Sequence, residues 1–116
     1  MNINSTKINP LHGIEFKFEQ TENSTRKYEL LWGPLLPSAV TISTSAFEVL
    51  DGNATLASAS SSGGTTSVFI SGIPGENKVQ NKITLSNGEI YERILKVKIK
   101  DNDPPSISDD YDFVGD

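Results

Sequence analysis

The chain has 116 residues, of which 35 % are hydrophobic and 22 % charged, enough apolar mass for one core and too little for two. Residues 1–100 carry ten Lys/Arg against nine acids, a balance of +1, while residues 101–116 carry six Asp and no base, which accounts for the net charge of −5. A near-neutral body removes the electrostatic motive for binding nucleic acid or an anionic membrane, and the absence of Cys removes disulfides and thiolate zinc sites.

The first thirteen residues, MNINSTKINPLHG, contain no repeat and no basic segment leading into an apolar run. No secretory signal is expected, and the stretch reads as an extended arm. Ile14, Phe16 and Phe18 then alternate with Glu15 and Lys17, as a half-buried strand requires. Tyr28, Leu30 and Trp32 repeat the pattern. Gly33-Pro34 and Pro37 interrupt it, because proline has no place inside a central strand.

Between Val40 and Val49 the apolar phase shifts, which predicts a bulge near Ser45-Ala46. Residues 54–59 alternate weakly with small side chains and predict an edge strand, followed by a flexible Ser60–Gly64 loop. Val68 and Ile70 oppose Phe69 in the next strand, and Gly72 to Asn77, with Pro74-Gly75, predicts a turn. The strongest pattern comes last. Val79, Asn81, Ile83 and Leu85 share one face, Asn87-Gly88 signals a tight hairpin, and Leu95, Val97 and Ile99 return opposite Lys96, Lys98 and Lys100.

About seven or eight short strands and no helical periodicity predict an all-β, immunoglobulin-like sandwich of two antiparallel sheets. The boundaries follow the patterning: an arm at 1–13, the sandwich at 14–100, and an acidic tail at 101–116. No apolar stretch approaches the ~20 residues of a membrane helix.

Catalytic inventories fail. His12 is the only histidine, with no second His or Cys to complete a site, and Glu15, Glu29 and Glu92 alternate outward as solvated charges. Ser62-Gly63-Gly64-Thr65 lacks the lysine and helix of a phosphate loop. Asp101, Asn102 and Asp103 resemble the Asp-rich linker of cadherin repeats and the end of Calx-β domains. Calcium, however, needs six to eight oxygens, and no matching acidic loop is visible. No cofactor is expected. Trp32 reads as a core plug between sheets rather than a binding platform. The tail mixes its acids with Ile107, Tyr111, Phe113 and Val114, apolar groups for which a plain acidic spacer has no use.

Residues 28–100 resemble a family of small Ig-like virion proteins of tailed phages, the fibre–tail adaptors. The resemblance rests on Tyr28-Glu29-Leu30-Leu31-Trp32 and on the Val40–Phe47 strand. It continues through Thr66–Gly72 with Gly75, and through Asn81–Gly88 leading to Glu92-Arg93. The thirteen-residue arm and the Gly33-Pro34-Leu35-Leu36-Pro37 linker depart from that pattern. The resemblance implies a non-catalytic virion component assembled in the host cytoplasm. It would be present in several copies and join tail fibres to the tail tube or nozzle. A capsid decoration protein and a calcium-dependent adhesion module are the alternatives. On the virion reading the contacts to partner proteins fall on the two ends: Ile3, Ile8 and Leu11 in the arm, and Ile107, Tyr111, Phe113 and Val114 in the tail. No nucleic acid or membrane partner is expected.

Overall fold

In a computed structural model the described residues are 5–101. They form strands β1 (Ser5–Ile8), β2 (Glu15–Thr21), β3 (Arg26–Leu31), β4 (Ile42–Asp51), β5 (Thr55–Ser62), β6 (Thr65–Ser71), β7 (Gly75–Leu85) and β8 (Ile90–Lys100). Single 3-10 turns occupy Pro10–His12 and Gly33–Leu35. One sheet has the order β1-β3-β6-β5 and the other β2-β8-β7-β4. β1 pairs parallel to β3 and β2 parallel to β8; the remaining pairs are antiparallel. This is the expected Ig-like sandwich, with a parallel strand added at one edge of each sheet.

The two inner faces are the alternating residues read from the sequence. Tyr28, Leu30 and Trp32 from the first sheet, with Val68 and Ile70, meet Val79, Ile83, Leu85, Leu95, Val97 and Ile99 from the second, all 2 % exposed or less. Burying each such side chain is worth about 1.5–3 kcal/mol. Trp32 is a core plug, as its position predicted. Arg93 lies over its ring, 5.2 Å from the centroid, and Tyr91 stacks at 6.5 Å.

Two buried amides tie the sheets together, and a third pins the β4–β5 turn to the second sheet. Asn81 Oδ1 accepts from Trp32 Nε1 (3.0 Å) and Thr66 Oγ1 (2.7 Å), while its Nδ2 donates to Ser45 Oγ and Ala46 O, both at 3.1 Å. Gln20 accepts from the Tyr28 hydroxyl at 2.7 Å and donates to Ile70 O at 2.9 Å. Burial pushes the Tyr28 phenol above its usual range, against a smaller opposing pull from Arg26, so this group is a neutral donor. Asn77 accepts from Asn53 N (2.9 Å) and donates to Val97 O (3.2 Å). Buried polar groups that are fully paired specify one packing rather than weakening it.

The structure corrects several local expectations. Ser5–Ile8 is not an arm but an edge strand, and Ile8 is 3 % exposed in the core. A strand of four residues needs only one inward apolar side chain, so it leaves no visible alternation. Its hold on β3 is partly ionic. Glu29, expected to be a solvated charge, accepts from Ser5 Oγ (2.8 Å) and Lys7 Nζ (2.9 Å), and Lys27 lies at 3.5 Å.

Those partners, Lys7 foremost, hold the Glu29 carboxyl at about 2, below its ordinary 4.5. A depressed folded pKa stabilises above the unfolded value, and the benefit disappears as pH falls from 4.5 toward about 2. Glu29→Gln is expected to flatten that part of the stability–pH curve by about 1 kcal/mol at most, given solvent screening. Urea melts at a series of pH values check it, and an unchanged curve would refute the clamp.

The bulge of β4 lies at Ser43, not Ser45-Ala46: pairing shifts between Ile42 and Thr44, and again between Val49 and Asp51. Ser45 belongs to the inward phase because it meets Asn81, and a polar inward residue disguised the register. Ser60–Gly64 is not a flexible loop. Ser62 pairs with Thr65 across Gly63 and Gly64, whose φ of +57° and +84° make the left-handed two-residue turn that matches strand twist. At Asn87-Gly88 the loop is one residue longer than a tight hairpin. Leu85 N bonds Glu89 O at 2.7 Å, and only Gly88 of the pair has positive φ.

Candidate functional site

The strand registers sort the connections onto two poles. At the first lie the β2–β3 loop, Asp51-Gly52-Asn53, Gly72-Ile73-Pro74, the start of β1 and the end of β8. Because β1 runs parallel to β3 and β8 ends beside Thr21, the chain enters β1 and leaves β8 at this same pole, called here the exit pole. The opposite pole gathers the two 3-10 turns, the β3–β4 linker and the β5–β6 and β7–β8 turns.

Of the residues expected to meet partners, Leu11 is 55 % exposed, on the turn at the opposite pole. Asn9 fixes that turn by accepting from Leu11 N at 2.9 Å, and Arg93 Nε donates to Pro10 O at 2.9 Å. Leu11 is therefore presented from a rigid base. Ile8 is withdrawn from the set by its burial beside Leu30. Ile3, Ile107, Tyr111, Phe113 and Val114 lie outside the described residues.

Exposed apolar residues that sequence reading missed accompany Leu11. Ile14 (64 %) and Ile90 (53 %) share its pole, while Ile73 (62 %) and Leu50 (47 %) lie toward the exit pole. Ile14 stood in phase with Phe16 and Phe18 and so read as core. In the structure β2 begins only at Glu15, and Ile14 precedes it in a bend. Ile14 sits one residue before β2, Ile90 at the first position of β8 and Leu50 at a register shift of β4, where no sequence signal separated them from strand interiors; Ile73 lies in the β6–β7 turn.

The outer face of the second sheet is a mixed-charge groove lined by Lys17, Lys78, Lys96 and Lys98 with Glu19, Asp51 and Glu76. Lys96 pairs with Glu15 at 3.4 Å and Lys100 with Glu19 at 3.2 Å. It reads as a solvated face. Among the described residues no group of three or more His, Cys, Asp or Glu is placed to hold a metal. His12 is exposed, within 3.5 Å of Asn9. Asp101 is described and exposed, while Asn102 and Asp103 lie outside the described residues.

A rigid two-sheet body, apolar groups at both poles and a chain that enters and leaves at one of them define an Ig-like interaction domain. Comparison with known proteins makes this specific. The model of the family described as "Podophage GP4 fiber-tail adaptor protein gp77" matches residues 20–98, and the chain belongs to that family. No curated protein matches it. Among solved structures it is similar to the PKD domain from KIAA 1837 protein, with a TM-score of 0.55 and 17 % identity over 78 % of this chain and 84 % of that one. That likeness concerns the fold alone. Amebosin is also similar, at a TM-score of 0.40 and 14 % identity over 84 % of this chain and 99 % of that chain.

Proposed function

We propose that the protein is a non-catalytic structural component of a tailed-phage virion that connects tail fibres to the tail. The observation that carries this reading is the family match spanning residues 20–98, which covers β3 through most of β8. The geometry supports it: a body stapled by buried amides resists deformation, while sheet edges suit strand addition to neighbours. Contacts to the fibre and to the tail tube or nozzle fall on Leu11 and Ile3 at the N-terminal side and on Ile107, Tyr111, Phe113 and Val114 in the tail. No cofactor takes part, and the chain acts in several copies within a particle assembled in the host cytoplasm.

Deletion of residues 104–116 is expected to leave the domain folded and to abolish incorporation into particles. Truncated protein assembling at the wild-type level would rule out the tail as anchor. Counting copies in purified particles tests the adaptor role itself: a closed ring at a fibre joint holds on the order of ten. On the order of hundreds would mark a capsid decoration protein instead.

A further inference from the structure

Charge is unevenly placed across this fold. Residues 31–47 and 52–75 contain no Asp, Glu, Lys, Arg or His, and they take in the β3–β4 linker, the start of β4 and all of β5 and β6. β5 is an edge of the first sheet and β4 an edge of the second, joined at the exit pole. These segments give the sandwich one uncharged side, and depletion of charge marks the centres of interfaces.

Toward the opposite pole a groove of about 390 Å³ opens on this side. Half-buried Leu36, Val40 and Ile42 line one wall, and exposed Ser61 and Ser62 line the other. The three apolar residues pack against the buried cluster yet stay partly open, so the core is unfinished here.

The strand beside the groove is the least guarded edge of the molecule. β1 carries Lys7, β2 carries Glu15, Lys17 and Glu19, and β4 carries Glu48 and Asp51. β5 has no charge and no proline. Its guard is a bulge at Ser58-Ala59, where pairing with β6 lapses and Ser58 has φ +52°. Residues 55–57 and 60–62 on either side of it remain in the ladder. Leu56 stands opposite Ile70 and Ser61 opposite Thr66, both fully buried, so positions 56 and 61 face between the sheets. Ser62 closes the two-residue turn with Thr65. By the alternation of an antiparallel ladder, Ser61 and Leu56 then turn their backbone N–H and C=O groups away from β6. A bare edge of this kind is a template for another strand.

The occupant that fits is the same edge of a second copy. In an antiparallel pair about a two-fold axis between Ser58 and Ala59, residues 55–57 of one copy lie against 60–62 of the other. The open backbone groups of Leu56 then meet those of Ser61, and no charged residue lies in the seam. Leu56, the one large apolar residue of β5, comes within about 5 Å of Ser61 of the second copy, at the mouth of its groove. No other edge can meet its own copy free of charge. We infer that two copies of this chain pair through β5 in this register, joining their first sheets into one eight-stranded sheet. The inference concerns the free protein and does not rest on the adaptor reading.

Sedimentation equilibrium of the full chain across a concentration series tests it. The wild type is expected to pass from monomer to dimer mass and no further. Positions 57 and 60 are exposed and stand opposite each other across the axis. Ala57→Lys with Ser60→Lys therefore sets like charges together twice and should weaken the dimer at least about tenfold. Ala57→Lys with Ser60→Glu sets opposite charges there and should restore it. In the wild type, amide exchange at Leu56 and Ser61 should slow as concentration rises, a readout that needs no variant. A wild type that stays monomeric at every concentration overturns the inference. So does a dimer that both variants leave intact, or association that runs on beyond two copies.

Discussion

Asn81→Leu is expected to destabilise the domain by about 3 kcal/mol, a large loss for a substitution that increases core hydrophobicity. Asn81 is fully buried, and all four of its bonds reach groups in other strands or at their ends: Trp32, Thr66, Ser45 and Ala46. Leucine fills a similar volume but leaves the Ala46 carbonyl without this donor and the Thr66 hydroxyl without its acceptor. An unsatisfied buried polar group costs about 1–3 kcal/mol. Trp32 Nε1 keeps a second acceptor, Thr66 Oγ1 at 3.0 Å, so the loss does not extend to every partner.

Trp32 is the only tryptophan and sits in the network, so its fluorescence reports unfolding directly. Denaturant melts of wild type and Asn81→Leu should show a lower midpoint with an unchanged slope. In a double-mutant cycle with Thr66→Val, the two substitutions should be less than additive by more than about 0.5 kcal/mol. Full additivity, or a midpoint within error of wild type, would mean that the amide is incidental to stability.

How far the sequence announced all this depends on the length and polarity of each element. β7 and β8 are eleven residues each, and from Lys78 onward their alternation was long enough to fix face and core together, although residues 75–77, read as part of a turn, are the first of β7. Even Asn81 was placed in the inward phase by position alone. What alternation cannot supply is the partner of a buried polar residue, because Thr66, Ser45 and Trp32 come from distant parts of the chain. β1 was illegible for the opposite reason: Ile8 is its only buried apolar group, and its attachment to Glu29 is a long-range ionic contact. The Gly63-Gly64 turn was hidden by the serines before it, which resemble a linker in composition and yet form the last residues of β5. The exposure of Leu11 agrees with its polar surroundings in the sequence, but that of Ile14 and Ile90 was not legible, since an exposed apolar residue beside a strand looks like one inside it.

Gly52→Ala is expected to be the most damaging alanine substitution at any glycine in the body, at about 3 kcal/mol or more, for reasons that separate strain from collision. The residue has φ +97°, where a side chain costs about 1–2 kcal/mol by itself. Its Cβ would stand 2.2 Å from Asn77 Oδ1 and 2.6 Å from the Glu76 carbonyl, a position no atom can take without displacing Asn77. That amide is 4 % exposed and links the Asn53 N–H to Val97 O, so moving it uncouples the β4–β5 turn from β8. Gly63 supplies the control. Its φ of +57° is also left-handed, but an added Cβ there meets nothing within 4 Å, and Gly63→Ala should lose only the strain. In thermal melts a loss of about 3 kcal/mol corresponds to a fall of roughly 12–24 °C for a domain of this size, against about a third to two-thirds of that for Gly63→Ala. Placed in an Asn77→Ala background, Gly52→Ala should cost less than it does alone, because part of the collision has been removed. Equal shifts for the two glycines would show that backbone strain, not the packed amide, governs this turn.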